Sequence, residues 1–445
     1  LTVIHLKDRV YPFYVTLNFR AFNNLDIIET WTEYSHNEKK AVVLKRFDSG
    51  HFMIRRGDVW ISSLSGHWGT ETRITTEPLT SGMKVIKNMD GVRNGLGEHS
   101  EVMFSLDGKP QENSGRVIGA VLCWGGRTKI RIDSDDTYGS HVHHVFAGMN
   151  EEASEYKLEP REVFTTPKLA LTYSCEGLGE ASRNLHRWAR MGMVYSCDKP
   201  RDILLNSWEG VYLNIKEQEM DQMMKDFAAM GGELFVMDDG WFGNKYRRIQ
   251  DNSSLGDWVV DTQKLPHGIK GLTDTAKKYG IKFGIWIEPE FTNTKSELVE
   301  KHPDWVLRSM NRELMCGRGG TQVVLDLCNP KVQDFVFSVV DGLLSKNPEI
   351  AYIKWDANGE IMNYGSSYLP KDKQSHIYID YHRGLINVLE RIRAKYPDVV
   401  MQACGSGGGR ASYGVMPYFN EFWVSDNTDA LQRLFIQWGT SYFYP

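Results

Sequence analysis

Ala351-Tyr352-Ile353-Lys354-Trp355-Asp356-Ala357-Asn358 is an apolar run that ends in charged and amide side chains, and its reading decides the fold. Taken as a strand, its alternation sends Lys354, Asp356 and Asn358 to one face and Trp355 and Ala357 to the other. Other apolar runs, near residues 203–208, 234–239, 282–288, 323–328, 399–404 and 421–426, have the same character. Between most of them lie stretches with helical spacing, at 216–230, 271–279, 332–345, 378–395 and 429–438. Strands alternating with helices imply parallel pairing and right-handed crossovers. The expectation for residues 201–445 is a catalytic (β/α)8 TIM-type barrel, with a doubly wound open sheet as its rival. Seven strands are counted and the chain stops after the helix that leads to an eighth, so the chain is expected to be a piece of a longer protein, cut before strand 8.

The first 180 residues have a different rhythm. Short alternating runs at 13–19, 41–47, 117–123, 129–132 and 169–173 are broken by Gly, Asn and Asp, which predicts an antiparallel β-sandwich, its beginning expected to be missing. Residues 181–193 have the 3.6-residue period of a helix, and 181–200 is read as a helical linker between the two domains.

At 445 residues with a formal net charge of -5, the chain has ample apolar material for more than one core and no basic field for nucleic acid or anionic lipid. No apolar stretch approaches the length of a membrane span. The six cysteines are scattered without a C-x-x-C pair, which argues against a zinc site and, less strongly, against a disulfide framework. His141-Val142-His143-His144 lacks acidic partners at ligand spacing and is read as structural, and no metal or organic cofactor is expected. Cys404-Gly405-Ser406-Gly407-Gly408-Gly409-Arg410 lacks the ending of a phosphate loop, so its glycines are assigned to close backbone approach to a ligand.

In a β/α barrel the chemistry sits at the C-terminal ends of the strands. Here those ends carry Trp208-Glu209, Asp238-Asp239, Trp286-Ile287-Glu288, Asp326, Asp356, Cys404 and Asp426. Lys354 requires anionic partners in such a mouth, and Asp356 and Asp238 are the candidates. The cation would keep Asp356 ionised, as a nucleophile must be. Asp426, in Trp423-Val424-Ser425-Asp426-Asn427-Thr428-Asp429, needs the opposite environment if it is a general acid, with Trp423 or Phe422 expected to supply the apolar flank. Asp429 competes for that role but stands where it would serve the following helix. Two carboxylates in split environments are the recurring solution for glycoside cleavage.

These motifs resemble glycoside hydrolase family 36, the retaining α-galactosidases of bacterial type. The resemblance runs through Leu64-Ser65-Gly66-His67-Trp68-Gly69, Gly177-Leu178-Gly179, Asp238-Asp239-Gly240-Trp241-Phe242, Gly256-Asp257-Trp258, Glu288-Pro289-Glu290, Lys354-Trp355-Asp356 and Ser425-Asp426-Asn427-Thr428-Asp429-Ala430. It implies Asp356 as nucleophile and Asp426 as acid/base. It implies Asp238 and Asp239 as holders of the galactose 4- and 6-hydroxyls, Trp208 as a wall of the pocket, and Lys354 and Asn358 as polar neighbours of the nucleophile. Cys404 is implied near the sugar 2-hydroxyl and Arg318 as the arginine of the strand-four loop; Trp286 and Ser406 complete the expected substrate-binding set. Ala357, Gly359, Ser406 and Ala411-Ser412 depart from the usual family pattern, on the side of the sugar 2-position and the leaving group.

The resemblance also implies a C-terminal β-domain beyond the barrel and a homo-oligomer, of which a tetramer is one form. The compartment is left open between bacterial cytoplasm and periplasm. The expected function is therefore a retaining exo-glycosidase that hydrolyses terminal α-galactosyl residues of oligosaccharides by double displacement, with no nucleic-acid or membrane partner. An α-N-acetylgalactosaminidase, a galactosyl transferase related to raffinose synthases and a non-catalytic sugar-binding protein are the alternatives.

Overall fold

The computed structural model describes residues 1–134 and 141–445, and the chain divides into two compact units. The first comprises Leu1–Tyr195 together with Gly407–Pro417 and Val424–Pro445; the second comprises Ser196–Ser406 together with Tyr418–Trp423.

The first unit is built on antiparallel sheets. The larger runs in the order Thr2–Lys7, Phe13–Phe22, Ile27–His36, Leu169–Ser174, Val117–Leu122, Gly97–Ser105, Trp60–Gly66 and Arg73–Pro78, with Val163–Thr165 also on Ile27–His36. A second sheet orders Asp48–Arg55, Val142–Met149, Thr128–Ser134 and Gly82–Lys87. Thr128–Ser134 alternates strictly between buried and half-buried positions, the signature of a strand with one face in a core. The sheets face one another closely: a Cβ on Gly50 would lie 2.8 Å from the Thr30 methyl, and the Phe52 and Phe104 rings meet edge to face at 6.0 Å. His143 is buried and shares a hydrogen bond of 2.6 Å with Ser134, while the His144 ring stacks on His51.

The expected helix of the linker is Gly177–Trp188, continued by one π-turn over Ala189–Met193. Its buried Leu178, Ala181, Leu185 and Trp188 follow helical spacing. Trp188 then stacks on Tyr413 at 5.2 Å and Tyr413 on Tyr444 at 5.1 Å, and the Tyr444 hydroxyl donates to buried Glu101 at 2.8 Å. That stack joins three stretches far apart in the chain. The helix Ala430–Phe443 is tied in by Thr72, whose hydroxyl donates to the Ile436 carbonyl at 2.8 Å.

The second unit is barrel-like, with a parallel sheet in the order Leu204–Asn206, Leu234–Met237, Lys282–Ile287, Ile350–Trp355, Val400–Ala403 and Glu421–Phe422. Helices Glu217–Ala229, Gly268–Lys278, Pro330–Lys346 and Ile377–Lys395 alternate with these strands. Pro330 opens its helix, where a missing N–H costs nothing, and the Asn329 side chain accepts from the Lys331 N–H at 3.0 Å. Leu234 and Val236 pack with Tyr352 in one buried cluster, and each such aliphatic side chain contributes roughly 1.5–3 kcal/mol.

The expected fourth strand differs. Gln322–Val324 forms an antiparallel pair with Phe291–Asn293 outside the parallel sheet, and Lys282–Ile287 pairs directly with Ile350–Trp355. Its outward backbone groups are met by other loops: the Val324 carbonyl accepts from the Leu307 N–H at 2.9 Å, the Gln322 carbonyl accepts from the Gly317 N–H at 2.8 Å, and the Asn293 N–H donates to the Leu255 carbonyl at 3.0 Å.

Behind the strand ends, Glu290 is fully buried and accepts from Trp355 Nε1 at 2.8 Å and from the Tyr381 hydroxyl at 2.7 Å. One carboxylate thus joins the Ile350–Trp355 strand to the helix Ile377–Lys395. Glu290→Leu would orphan both donors, and an equilibrium urea titration should show a loss of about 2–6 kcal/mol, at about 1–3 kcal/mol for each unsatisfied group. A loss within error of zero would show that the two donors find other partners.

Candidate active site

In the second unit the site grows from the C-terminal ends of the parallel strands. Asp356 follows Ile350–Trp355 and is held at both oxygens. The Ala357 N–H donates to Oδ1 at 2.8 Å, while Oδ2 accepts from Asn358 Nδ2 at 2.8 Å and from the Trp286 indole at 3.1 Å. Burial pushes the Asp356 carboxyl up; the Lys354 charge and these three donors outweigh it and hold the group below the usual carboxylate range. The result is an ionised carboxylate with its orientation fixed.

Lys354 Nζ donates to Asp238 Oδ2 at 2.8 Å. Of its two expected partners, Asp238 makes the hydrogen bond and Asp356 acts by charge. Burial disfavours the ammonium, yet the Asp238 and Asp356 carboxylates raise Lys354 above the ordinary lysine value. Asp238 also accepts from Asn206 Nδ2 at 2.6 Å, and its Oδ1 accepts the Asp239 N–H at 2.9 Å. Cys404 is buried and donates its backbone N–H to the Trp355 carbonyl at 2.8 Å.

Ser406 donates both its N–H, at 3.1 Å, and its hydroxyl, at 3.0 Å, to Asn358 Oδ1. Asn358 is therefore a bridge, receiving from Ser406 and giving to Asp356. Its backbone N–H donates to Glu288, whose same oxygen accepts from Gln322 Nε2 at 2.8 Å. Burial and the neighbouring Asp356 charge push Glu288 up to about 8, so it carries a proton at neutral pH.

Two arginines stand beside these carboxylates. Arg318 pairs with Asp251 at 3.1 Å and its side chain is 37% exposed. Arg248, which sequence reading did not select, is buried and grips Asp239 with Nε at 3.0 Å and Nη2 at 2.7 Å. Burial pushes the Asp239 carboxyl up on balance, but the guanidinium is pushed up as well by the same pairing. With two parallel donors at these distances the pair is ionised. Trp208 opens the short helix Trp208–Val211 after the first strand, half-buried, its ring edge-on to Tyr212 at 5.3 Å. Asp326 turns inward to accept from the Ser366 hydroxyl at 2.5 Å and the Cys328 N–H at 3.1 Å, a role in the loop fold.

Asp426 belongs to the first unit, and the aromatic group bonded to it is Trp68, whose indole donates to Oδ2 at 2.9 Å. Trp423 and Phe422, expected to flank it, belong to the second unit. The loop is fixed on either side of Asp426. Ser425 donates to fully buried Glu71 at 2.6 Å, and Asn427 Nδ2 donates to the Gly69 carbonyl at 2.9 Å. Asp429 caps its helix by accepting from the Gln432 N–H at 2.9 Å, as its position suggested. The glycines after Ser406 have a structural use here: a Cβ on Gly407 would lie 2.5 Å from Glu71 Oε1 and 2.9 Å from the Asp426 nitrogen.

Among the described residues no group of three His, Cys, Asp or Glu side chains could hold a metal ion, and no helix is long and apolar enough to cross a membrane. Trp68, Arg248, Glu288 and Gln322 were not selected as site residues from sequence. Trp68 and Glu288 lie inside motifs of the family resemblance and could have been drawn from it; Arg248 and Gln322 carry no local signal.

Residues 163–445 match the melibiase family and residues 1–159 match the glycosyl hydrolase family 36 N-terminal domain. The α-galactosidase AgaA of Geobacillus stearothermophilus is 35% identical over 447 residues, which cover 99% of this chain and 59% of that protein. The crystal structure of the α-galactosidase from Lactobacillus brevis superposes with a TM-score of 0.95 at 31% identity, over 100% of this chain and 58% of that one. A variant of AgaA in complex with stachyose gives a TM-score of 0.95 at 32% identity, over 100% of this chain and 60% of that one. The chain thus spans about three fifths of the length of these relatives. The residues of the site and the two matched regions lead to one assignment: the chain belongs to glycoside hydrolase family 36, with that family's N-terminal domain followed by its melibiase domain.

Proposed function

We propose that the protein is a retaining, exo-acting α-galactosidase that releases terminal α-galactosyl residues from oligosaccharides. The observation that carries this reading is the buried Asp356, ionised beside Lys354 and held by three donors. AgaA, to which this chain is similar from end to end, has been solved as variants with stachyose and with raffinose. Both are galactoside oligosaccharides of the class proposed as substrate.

In the first step an Asp356 oxygen attacks the anomeric carbon, the glycosidic C–O bond breaks, and Asp426 gives its proton to the departing oxygen. In the second, Asp426 takes a proton from water, the water oxygen attacks the same carbon, and the bond to Asp356 breaks. Two inversions leave galactose in its α configuration. Asp238 and Asp239, held by Lys354 and Arg248, receive the 4- and 6-hydroxyls. Trp208, Trp286, Asn358, Cys404, Ser406 and Arg318 complete the proposed binding set. The steps need no metal or organic cofactor. A homo-oligomer is proposed as the assembly.

The test is hydrolysis of aryl α-galactoside against aryl α-N-acetylgalactosaminide, with the first-formed sugar followed by proton NMR. Galactoside cleavage with α-galactose appearing first is expected. Asp356→Ala should abolish it, and undiminished activity in that variant removes the nucleophile assignment. Preference for the acetamido sugar would move the reading to an α-N-acetylgalactosaminidase, and β-galactose as first product would refute retention. Turnover dominated by transfer to a sugar acceptor would make the protein a transferase.

Lys354→Met tests the electrostatics. The cation lowers the Asp356 pKa, so its removal raises that pKa, and the acid limb of kcat/KM should move to higher pH by about 1–3 units. An acid limb that stays in place would separate Lys354 from the nucleophile. Because Asp238 loses its buried cation, stability should also fall, by about 3–5 kcal/mol in urea.

A further inference from the structure

Trp68 stands just past the strand Trp60–Gly66, and the residue is 65% exposed, so its ring is not a core element. Its indole N–H nevertheless donates to Asp426 Oδ2 at 2.9 Å. The turn that carries Trp68 is anchored to the Asp426 loop by two further contacts, Gly69 to Asn427 and Glu71 to Ser425. Beyond them, Thr72 shares a hydrogen bond of 3.0 Å with Thr440 on the helix that follows. Gly69, at φ 77°, and Thr72, at φ 53°, take the left-handed backbone conformation on either side of Glu71. The carboxylate loop and this turn are one cross-linked assembly.

An indole N–H can only donate. The oxygen it meets must remain an acceptor whether Asp426 is protonated or ionised. A proton on Oδ2 would weaken that oxygen as an acceptor, so the indole bond favours the exchangeable proton on Oδ1. The bond is stronger to the charged form, and so it favours ionisation.

We propose that Trp68 is a positioning residue for Asp426, favouring the exchanged proton on Oδ1 and poising the carboxyl for alternate donation and acceptance. This rests on the reading of Asp426 as the acid/base. Trp68 acts through the Asp426 carboxylate.

Trp68→Phe keeps an apolar ring and removes the donor. The basic limb of kcat/KM for phenyl α-galactoside should move to higher pH by about one unit, because the ionised form loses its hydrogen bond. The loss in kcat/KM should be at least about tenfold larger for phenyl α-galactoside, whose leaving group needs a proton, than for α-galactosyl fluoride, whose leaving group does not. The isostere β-(3-benzothienyl)-alanine at position 68 replaces N–H by sulfur at nearly constant shape and should reproduce both effects if Trp68→Phe perturbs folding. An unmoved basic limb with equal losses on both substrates overturns the proposal and leaves Trp68 a packing role.

Asp426→Ala separates this outcome from failure of the underlying reading. As the acid/base variant it should keep turnover of the fluoride, lose that of the phenyl glycoside, and be accelerated by azide. If it does so while Trp68→Phe is silent, only the role of Trp68 falls. If it does not, the assignment of Asp426 falls first.

Discussion

One buried ammonium organises the strand ends of the barrel-like unit. Lys354 is nine-tenths buried, and so are Asp238 and Asp356, the carboxylates whose charges act on it. A charge so placed is costly unless it is paired and hydrogen-bonded. The cation makes a direct bond to Asp238 and lends field to Asp356, so the same residue binds one carboxylate and keeps the other ionised. It cannot compensate a third. Glu288, equally buried and near Asp356, is accordingly pushed up to about 8 and stays neutral at neutral pH, where it can accept from the Asn358 N–H. A second cation, Arg248, compensates Asp239 separately. The distribution of charge among these carboxyl groups follows from having two buried cations with fixed partners.

The other carboxylate is organised by different means. Asp426 Oδ2 accepts from the neutral Trp68 indole, and the loop is held by the buried Glu71 and by the Gly69 carbonyl. These contacts lie within the antiparallel-sheet unit. Its Trp60–Gly66 strand and the turn after it hold the loop that presents Asp426, and its helix Gly177–Trp188 supplies the aromatic stack that receives Tyr413 and Tyr444. Glycine at 407 is required there because any Cβ would strike the Glu71 carboxylate. A glycine run that reads as room for a ligand is, at this position, room for the protein's own acidic anchor.

Periodicity made the two-part architecture legible: period-two runs in the first 180 residues, strand and helix alternation after 200. It also placed Lys354, Asp356 and Asn358 on one side, and the structure joins Lys354 to Asp238 and Asn358 to Asp356, because side-chain direction along a strand is a local property. The capping role of Asp429 was legible for the same reason. Strand partners were not. Gln322–Val324 reads like any short apolar strand, but its pairing with Phe291–Asn293 depends on where the chain returns after Glu290.

What the sequence determined by itself was the order of elements, the polar ends of the strands and the family motifs, all written in neighbouring residues. What the tertiary structure decided was partnership through space: Arg248 on Asp239, Trp68 on Asp426 from 358 positions away, and Glu71 on Ser425 from 354 positions away. Hydrogen bonds and burial act through space. Their partners are set by how sheets, turns and loops meet, and no spacing along the chain encodes that.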